Sequence, residues 1–198
     1  MLRRRGTAAD LLVVGLGNPG DEYARTRHNV GAEVVELLAK RHGATLKKGK
    51  ERARVDQVRI GPSLVALAIP LTYMNDAGLA VAPLVRRYGV EPEQLVIVQD
   101  ELDLPTGRVR VKVGGGLAGH NGLRSIKAHL HTDEFVRVRI GVGKPPSKEH
   151  GADHVLKRPA KADRELLEVA VVEAADAVEL IVATGPDAAM NQVNTRPT

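Results

Sequence analysis

The 198-residue sequence has no cysteine and no tryptophan, and only one phenylalanine and three tyrosines. Without cysteine there is no disulfide, no thiol nucleophile and no thiolate metal site. With so few aromatics the core has to be aliphatic, and a long stacking platform for single-stranded nucleic acid is disfavoured. No apolar run approaches the roughly 20 residues of a membrane span. The basic start, Met1-Leu-Arg-Arg-Arg5, is not followed by the apolar segment of a secretory signal. These absences fit a cytoplasmic protein without membrane association. Only Ser63, Ser125 and Ser147 are available as serine nucleophiles, none of them in G-x-S-x-G. No phosphate loop of the form G-x-x-x-x-G-K-[ST] occurs either.

What is present suffices for one folded domain. Hydrophobic content is 43% and the net charge is +5, so a core is affordable and a polyanionic partner is permitted. Residues 1–9 are expected to be a flexible tail, 10–193 one domain, and 194–198 a second tail. Short apolar runs at Leu11 to Val14, Leu64 to Leu71 and Leu95 to Val98 read as buried strands. Alternation marks 54–69 as a hairpin, and Arg108 to Val113 and Val136 to Val142 as half-exposed strands. On the last of these, Arg137 and Arg139 are expected to face away from the core. Helical spacing covers Val30 to Arg41, Leu123 to Leu130, Asp187 to Val193 and the long Lys161 to Thr184, whose inner face is read as Val169, Val172, Ala175 and Val178 to Val182. Another helix, capped by Asn75 or Asp76, runs to Tyr88 with Pro83 expected to kink or break it. Strands interleaved with helices, plus a hairpin, predict an α/β fold: a single three-layer α/β/α domain with a mixed, mostly parallel central sheet.

The stretch from Asp10 to Gly31 carries the first candidate site. A strand ends in Gly15-Leu-Gly-Asn-Pro-Gly20, and a polar loop then delivers His28 and Asn29 to the next helix. The glycines match the dinucleotide fingerprint. However, Asp21 to Arg27 lack the helical periodicity that should come next, and no acidic residue stands after a second strand at the required distance. Further loops follow strand ends at Tyr73 to Asn75 and Gln99 to Asp103, with a glycine-rich loop at Gly114 to Gly122. Ligands of open α/β sheets collect at such ends. Together the loops offer a histidine base, a carboxylate to orient it and amides to hold a carbonyl. Taken singly, each residue has an ordinary alternative: His28 as a surface or capping residue, Asp100 as a turn former, Asn75 as a cap, Asn121 as part of a turn. Two metal readings also arise. His150 and His154 stand at the i, i+4 spacing of a zinc helix, but Gly151 replaces the glutamate base of that motif. Asp100, Glu101 and Asp103 have the chemistry of a Mg²⁺ site.

Six stretches occur together and in order: Val14-Gly-Leu-Gly-Asn-Pro-Gly20, Tyr23-Ala-Arg-Thr-Arg-His-Asn29, Thr72-Tyr-Met-Asn75, Asp100-Glu-Leu-Asp-Leu-Pro105, Gly119-His-Asn-Gly-Leu123 and Arg137-Val-Arg-Ile-Gly-Val-Gly143. In this set the chain resembles the bacterial peptidyl-tRNA hydrolase family. The resemblance implies an esterase that frees tRNA from a peptide, needs no metal or cofactor, and acts as a monomer. It implies His28 as the base that activates water, Asp100 as its partner, and Asn18 as the residue that distinguishes blocked from free aminoacyl groups. Asn75 and Asn121 would bind the peptide backbone or the tRNA end, next to His120, with Tyr23, Tyr73 and Met74 lining the site. Basic residues near these loops, Arg110, Lys112, Arg139, Lys144 and Lys148, are the candidates for tRNA phosphates. Two departures stand out: Gln99 precedes Asp100 where several relatives carry His, and Leu117-Ala118 occupies the glycine loop where many have smaller or polar residues. A non-catalytic RNA-binding protein on the same fold is the main alternative, and a dinucleotide-dependent enzyme a further one.

Overall fold

The computed structural model describes residues 8–197, so the arginines of the basic start lie outside it. In chain order the elements are β1 (Leu11–Gly15), α1 (Val30–Arg41), β2 (Lys47–Lys48), β3 (Ala53–Ile60), β4 (Ser63–Pro70), α2 (Gly78–Tyr88), β5 (Leu95–Glu101), β6 (Val109–Val113), α3 (Asn121–Leu130), β7 (Val136–Gly141), α4 (Gly151–Leu156), α5 (Lys161–Thr184) and α6 (Pro186–Asn194). The seven strands form one sheet in the order β2-β3-β4-β1-β5-β7-β6. The central block β4, β1, β5 and β7 is parallel, while β3 and β6 run against it at the flanks.

Side-chain alternation divides the core into two layers. Val13, Val96, Val98 and Val138 pack with residues of α1, α5 and α6, and Leu12, Val14 and Ile97 pack with residues of α2 and α3. Both faces of the central strands are thus covered, which is why β1 and the first half of β5 read as unbroken apolar runs.

The structure corrects the expected inner face of α5. The buried stripe is Leu167, Ala170, Val171, Ala174, Ala175, Ala177, Val178 and Ile181, at the i, i+3, i+4 spacing of a helix on a sheet, so Ala175, Val178 and Ile181 lie inward as expected. Val169 and Val172 are exposed. The true stripe is rich in alanine, which lets a long helix lie close to the strands, so the more hydrophobic valines point the wrong way. The start of α2 is also different. Neither Asn75 nor Asp76 caps it; the Gly78 N–H instead donates to Ser125 Oγ of α3 at 2.9 Å. Pro83 lies inside α2 without ending it. At the chain ends, the Ala9 N–H donates to the Tyr88 carbonyl at 3.1 Å. Asn194, expected in a tail, brackets Val111 of edge strand β6 by accepting from its N–H and donating to its carbonyl, both at 2.9 Å.

Candidate active site

Strands β1, β4 and β5 are parallel neighbours, so the loops at their carboxyl ends leave the same edge of the sheet. Gly15 and Gly31 serve packing. A Cβ on Gly15 would lie 2.2 Å from the Gly31 carbonyl oxygen, and one on Gly31 would lie 2.1 Å from that of Val98. Only glycine lets the first turn of α1 rest on the backbones of β1 and β5. Because α1 begins directly over the end of β5, His28 just before it meets Asp100 just after Val98. No helix succeeds Gly20 directly: short 3-10 turns at Asp21–Tyr23 and Arg27–Asn29 intervene, and α1 starts only at Val30. The N-terminal helix dipole that a dinucleotide pyrophosphate requires is therefore not presented by this turn.

An amide clip closes the loop. Asn29 Oδ1 accepts from the Asn18 N–H and Asn29 Nδ2 donates to the Asn18 carbonyl, both at 2.9 Å. The Asn18 side chain is thereby held outward, where its Oδ1 accepts the Met74 N–H at 2.7 Å. Its Nδ2 has no partner among the described residues and remains a donor.

Asp100 is buried between two imidazoles. His28 Nδ1 lies 2.8 and 2.9 Å from its carboxylate oxygens, and His120 Nε2 lies 2.8 Å from Oδ1. The tautomer of His120 is set by its other nitrogen. Nδ1 accepts the N–H groups of Gly122 at 3.1 Å and Leu123 at 3.3 Å, capping α3. With Nδ1 accepting, the Nε2–H of that ring donates to Asp100. Burial alone would raise the Asp100 pKa, but the two histidines hold it well below the usual carboxylate range. For His28, burial disfavours the cation, yet the Asp100 carboxylate outweighs it and the pKa is raised. With Nδ1–H committed to Asp100, His28 Nε2 is left as the acceptor, and no hydrogen bond to it occurs among the described residues.

The donor atoms of His28, Asp100 and His120 lie within 4.8 Å of one another, a density that suits a metal ion. The tautomer of His120 argues otherwise, because its only free-facing nitrogen carries a proton rather than a lone pair. The other metal readings dissolve into separate contacts. His154 Nε2 donates to the Val142 carbonyl at 3.1 Å while His150 bonds to Ser147. Glu101 pairs with Arg139 at 3.5 Å and Asp103 with Lys144 at 3.7 Å.

A cleft of about 240 Å³ opens beside the pair, bordered by His28, Asp100, His120, Asn121, Lys148 and Ala118. Ala118 is held at φ 51°, a conformation glycine adopts freely and alanine does not. Tyr23 and Tyr73 meet edge to face at 6.4 Å, and Asn75 is exposed on the 3-10 turn Met74–Asp76. The Met74 side chain is buried, with its sulfur close to Gly122 beside His120, and its backbone N–H holds the Asn18 side chain. Of the basic candidates, Lys148 borders the cleft. Arg139 stands one strand away on β7, directly opposite Arg110 on β6, and Lys112 is opposite Arg137. Arg110 is turned onto the Val109 carbonyl at 2.8 Å.

Arg137 overturns its expected outward orientation: it is 1% exposed. Its guanidinium donates to the carbonyls of Gly114, Gly115 and Gly116 and lies over the Phe135 ring at 5.7 Å. Burial of its charge is tolerated because the glycine run turns its carbonyls inward. That triple glycine is the only sequence signal for it. Asn29 as the loop clip and His120 as second partner of Asp100 are likewise missed by sequence reasoning, since spacing alone does not show which loops meet.

The sequence model of a family described as peptidyl-tRNA hydrolase matches residues 12–198. A peptidyl-tRNA hydrolase of Leifsonia xyli subsp. xyli is 51% identical over 187 residues, covering 93% of this chain and 96% of its own. One from Mycobacterium marinum is 50% identical over 188 residues, covering 94% and 98%. The crystal structure of peptidyl-tRNA hydrolase from Acinetobacter baumannii superposes with a TM-score of 0.89 at 43% identity, covering 95% of this chain and 96% of that one. On sequence and fold alike, the chain belongs to the peptidyl-tRNA hydrolase family.

Proposed function

We propose that the protein hydrolyses the ester joining a peptide, or an N-blocked aminoacyl group, to the terminal ribose of tRNA, as a cytoplasmic monomer that recycles tRNA from prematurely released peptidyl-tRNA. The observation that carries this is the His28–Asp100 pair at 2.8 Å, with its free nitrogen beside the cleft. His28 Nε2 takes a proton from water as the water oxygen attacks the ester carbonyl. The tetrahedral intermediate then expels the ribose oxygen, which takes a proton back and leaves as the tRNA hydroxyl. General-base assistance of this kind contributes about 10²–10⁴-fold. Asp100 holds the His28 tautomer and stabilises the imidazolium that forms. Asn75 and Asn121 supply amide donors to the peptide and its developing oxyanion. Asn18, with Oδ1 occupied by Met74, offers Nδ2 to the carbonyl of the blocking acyl group, which a free aminoacyl group lacks. Tyr23 and Tyr73 flank the peptide, and Arg110, Lys112, Arg139 and Lys148 take tRNA phosphates.

The test is release of free tRNA from an N-acetylated aminoacyl-tRNA. His28→Ala is expected to lower turnover by about 10²-fold or more while sparing tRNA affinity. No release by the pure wild-type protein would favour a non-catalytic RNA-binding role instead.

A further inference from the structure

Past Tyr73, where β4 gives way to the 3-10 turn, lies a second cavity of about 360 Å³. Leu71, Tyr73 and Leu79 form its apolar side, and Lys48, Arg52 and Asp76 its polar side. Three features single it out. Tyr73 and Leu79 are among the exposed large hydrophobic residues, at 59% and 39%. Arg52 is held at φ 56° while its carbonyl accepts the Leu71 N–H at 2.7 Å, and backbone strain of this sort gathers at ligand sites. Neither Lys48 nor Arg52 has an acidic partner among the described residues, so two cations face one carboxylate, that of Asp76.

We infer that this cavity is a subsite for residues of the substrate peptide upstream of the ester, and that it favours a side chain with an apolar stem and a terminal carboxylate. The inference rests on the function proposed above. Tyr73 is common to the peptide site and to this cavity, so an extended chain leaving the ester passes from one to the other along the same ring. The apolar wall suits the stem and the two cations suit the carboxylate. A run of RNA phosphates would call for cations without that apolar wall.

The test uses the full chain and three substrates: N-acetylated aminoacyl-tRNA, tRNA bearing a short peptide with upstream glutamates, and the same peptide with lysines in their place. The wild type is expected to show a lower KM for the glutamate peptide than for the lysine peptide. Lys48→Glu should cancel or invert that preference, by about three- to fivefold in KM, and Arg52→Gly should weaken it. Both should leave the N-acetylated substrate unchanged. An unaltered ranking, or an equal loss on all three substrates as expected of an RNA contact, would overturn the subsite. Absence of release from all three by the wild type would overturn the functional reading itself.

Discussion

At the scale of the residue, Asp100 serves its two imidazoles unequally. His120 Nδ1 accepts the backbone N–H groups that it caps, whereas His28 Nε2 has no hydrogen-bond partner among the described residues. Burial works against the His28 cation and the Asp100 carboxylate works for it, with the net result above the ordinary 6.5. The catalytic form is the neutral ring, so the acid limb of kcat/KM is expected to inflect above pH 6.5. Asp100→Asn removes the carboxylate but leaves the burial, so the inflection should fall below that value as the rate drops; a pH–rate profile of both proteins checks this. Stability leans the other way. A raised folded pKa means that the His28 contribution is complete below the unfolded value and is lost as pH rises through the folded one. Asp100 has the opposite sign, with its contribution present above the ordinary carboxylate range and lost in acid. His28 and Asp100 are both legible in the sequence because polar residues at strand ends announce themselves. Arg137 is not, because strand alternation sends a charge outward and only the fold reveals the carbonyls that receive it.

At the scale of the element, the site depends on how closely α1 can approach the sheet. Gly31→Ala would place a methyl group 2.1 Å from the Val98 oxygen. Helix and strand then have to part, at a cost of about 1–3 kcal/mol, and His28 is carried away from Asp100. Urea denaturation and turnover should therefore fall together, whereas an exposed substitution such as Lys40→Ala should change neither. The same element shows the limit of motif reading. G-x-G-x-x-G marks backbone crowding in general, and whether a phosphate or a helix fills the gap is decided by the segment after the last glycine. The extent of α5 is legible from its periodicity, and so is the inward side of its second half at Ala175, Val178 and Ile181, but Val169 and Val172 in its first half mislead. Exposed valines and buried alanines carry opposite cues, and distance to the sheet, which no pattern encodes, decides between them.

At the scale of the whole molecule, excess positive charge and a cleft bordered by Lys148 predict salt-sensitive substrate binding. Lys148→Ala and Arg139→Ala should each weaken tRNA binding across tRNA sequences and each reduce the slope of log K against log salt by about 1. Arg110→Ala, turned onto its own strand, should do so less. Nitrocellulose binding at several salt concentrations would measure it. The three-layer architecture is foreseeable because alternating elements leave few ways to cover a parallel sheet on both faces. The pairing that completes its outer margin is not. There the side-chain amide of Asn194 imitates a neighbouring backbone against Val111, filling the place that another β-strand would take. Asn194→Ala should leave that margin open to a second copy, and light scattering on warming should show self-association at concentrations where the parent chain stays dispersed. An asparagine at the end of the last helix thus takes up the two backbone groups of Val111 that an added strand would have to use.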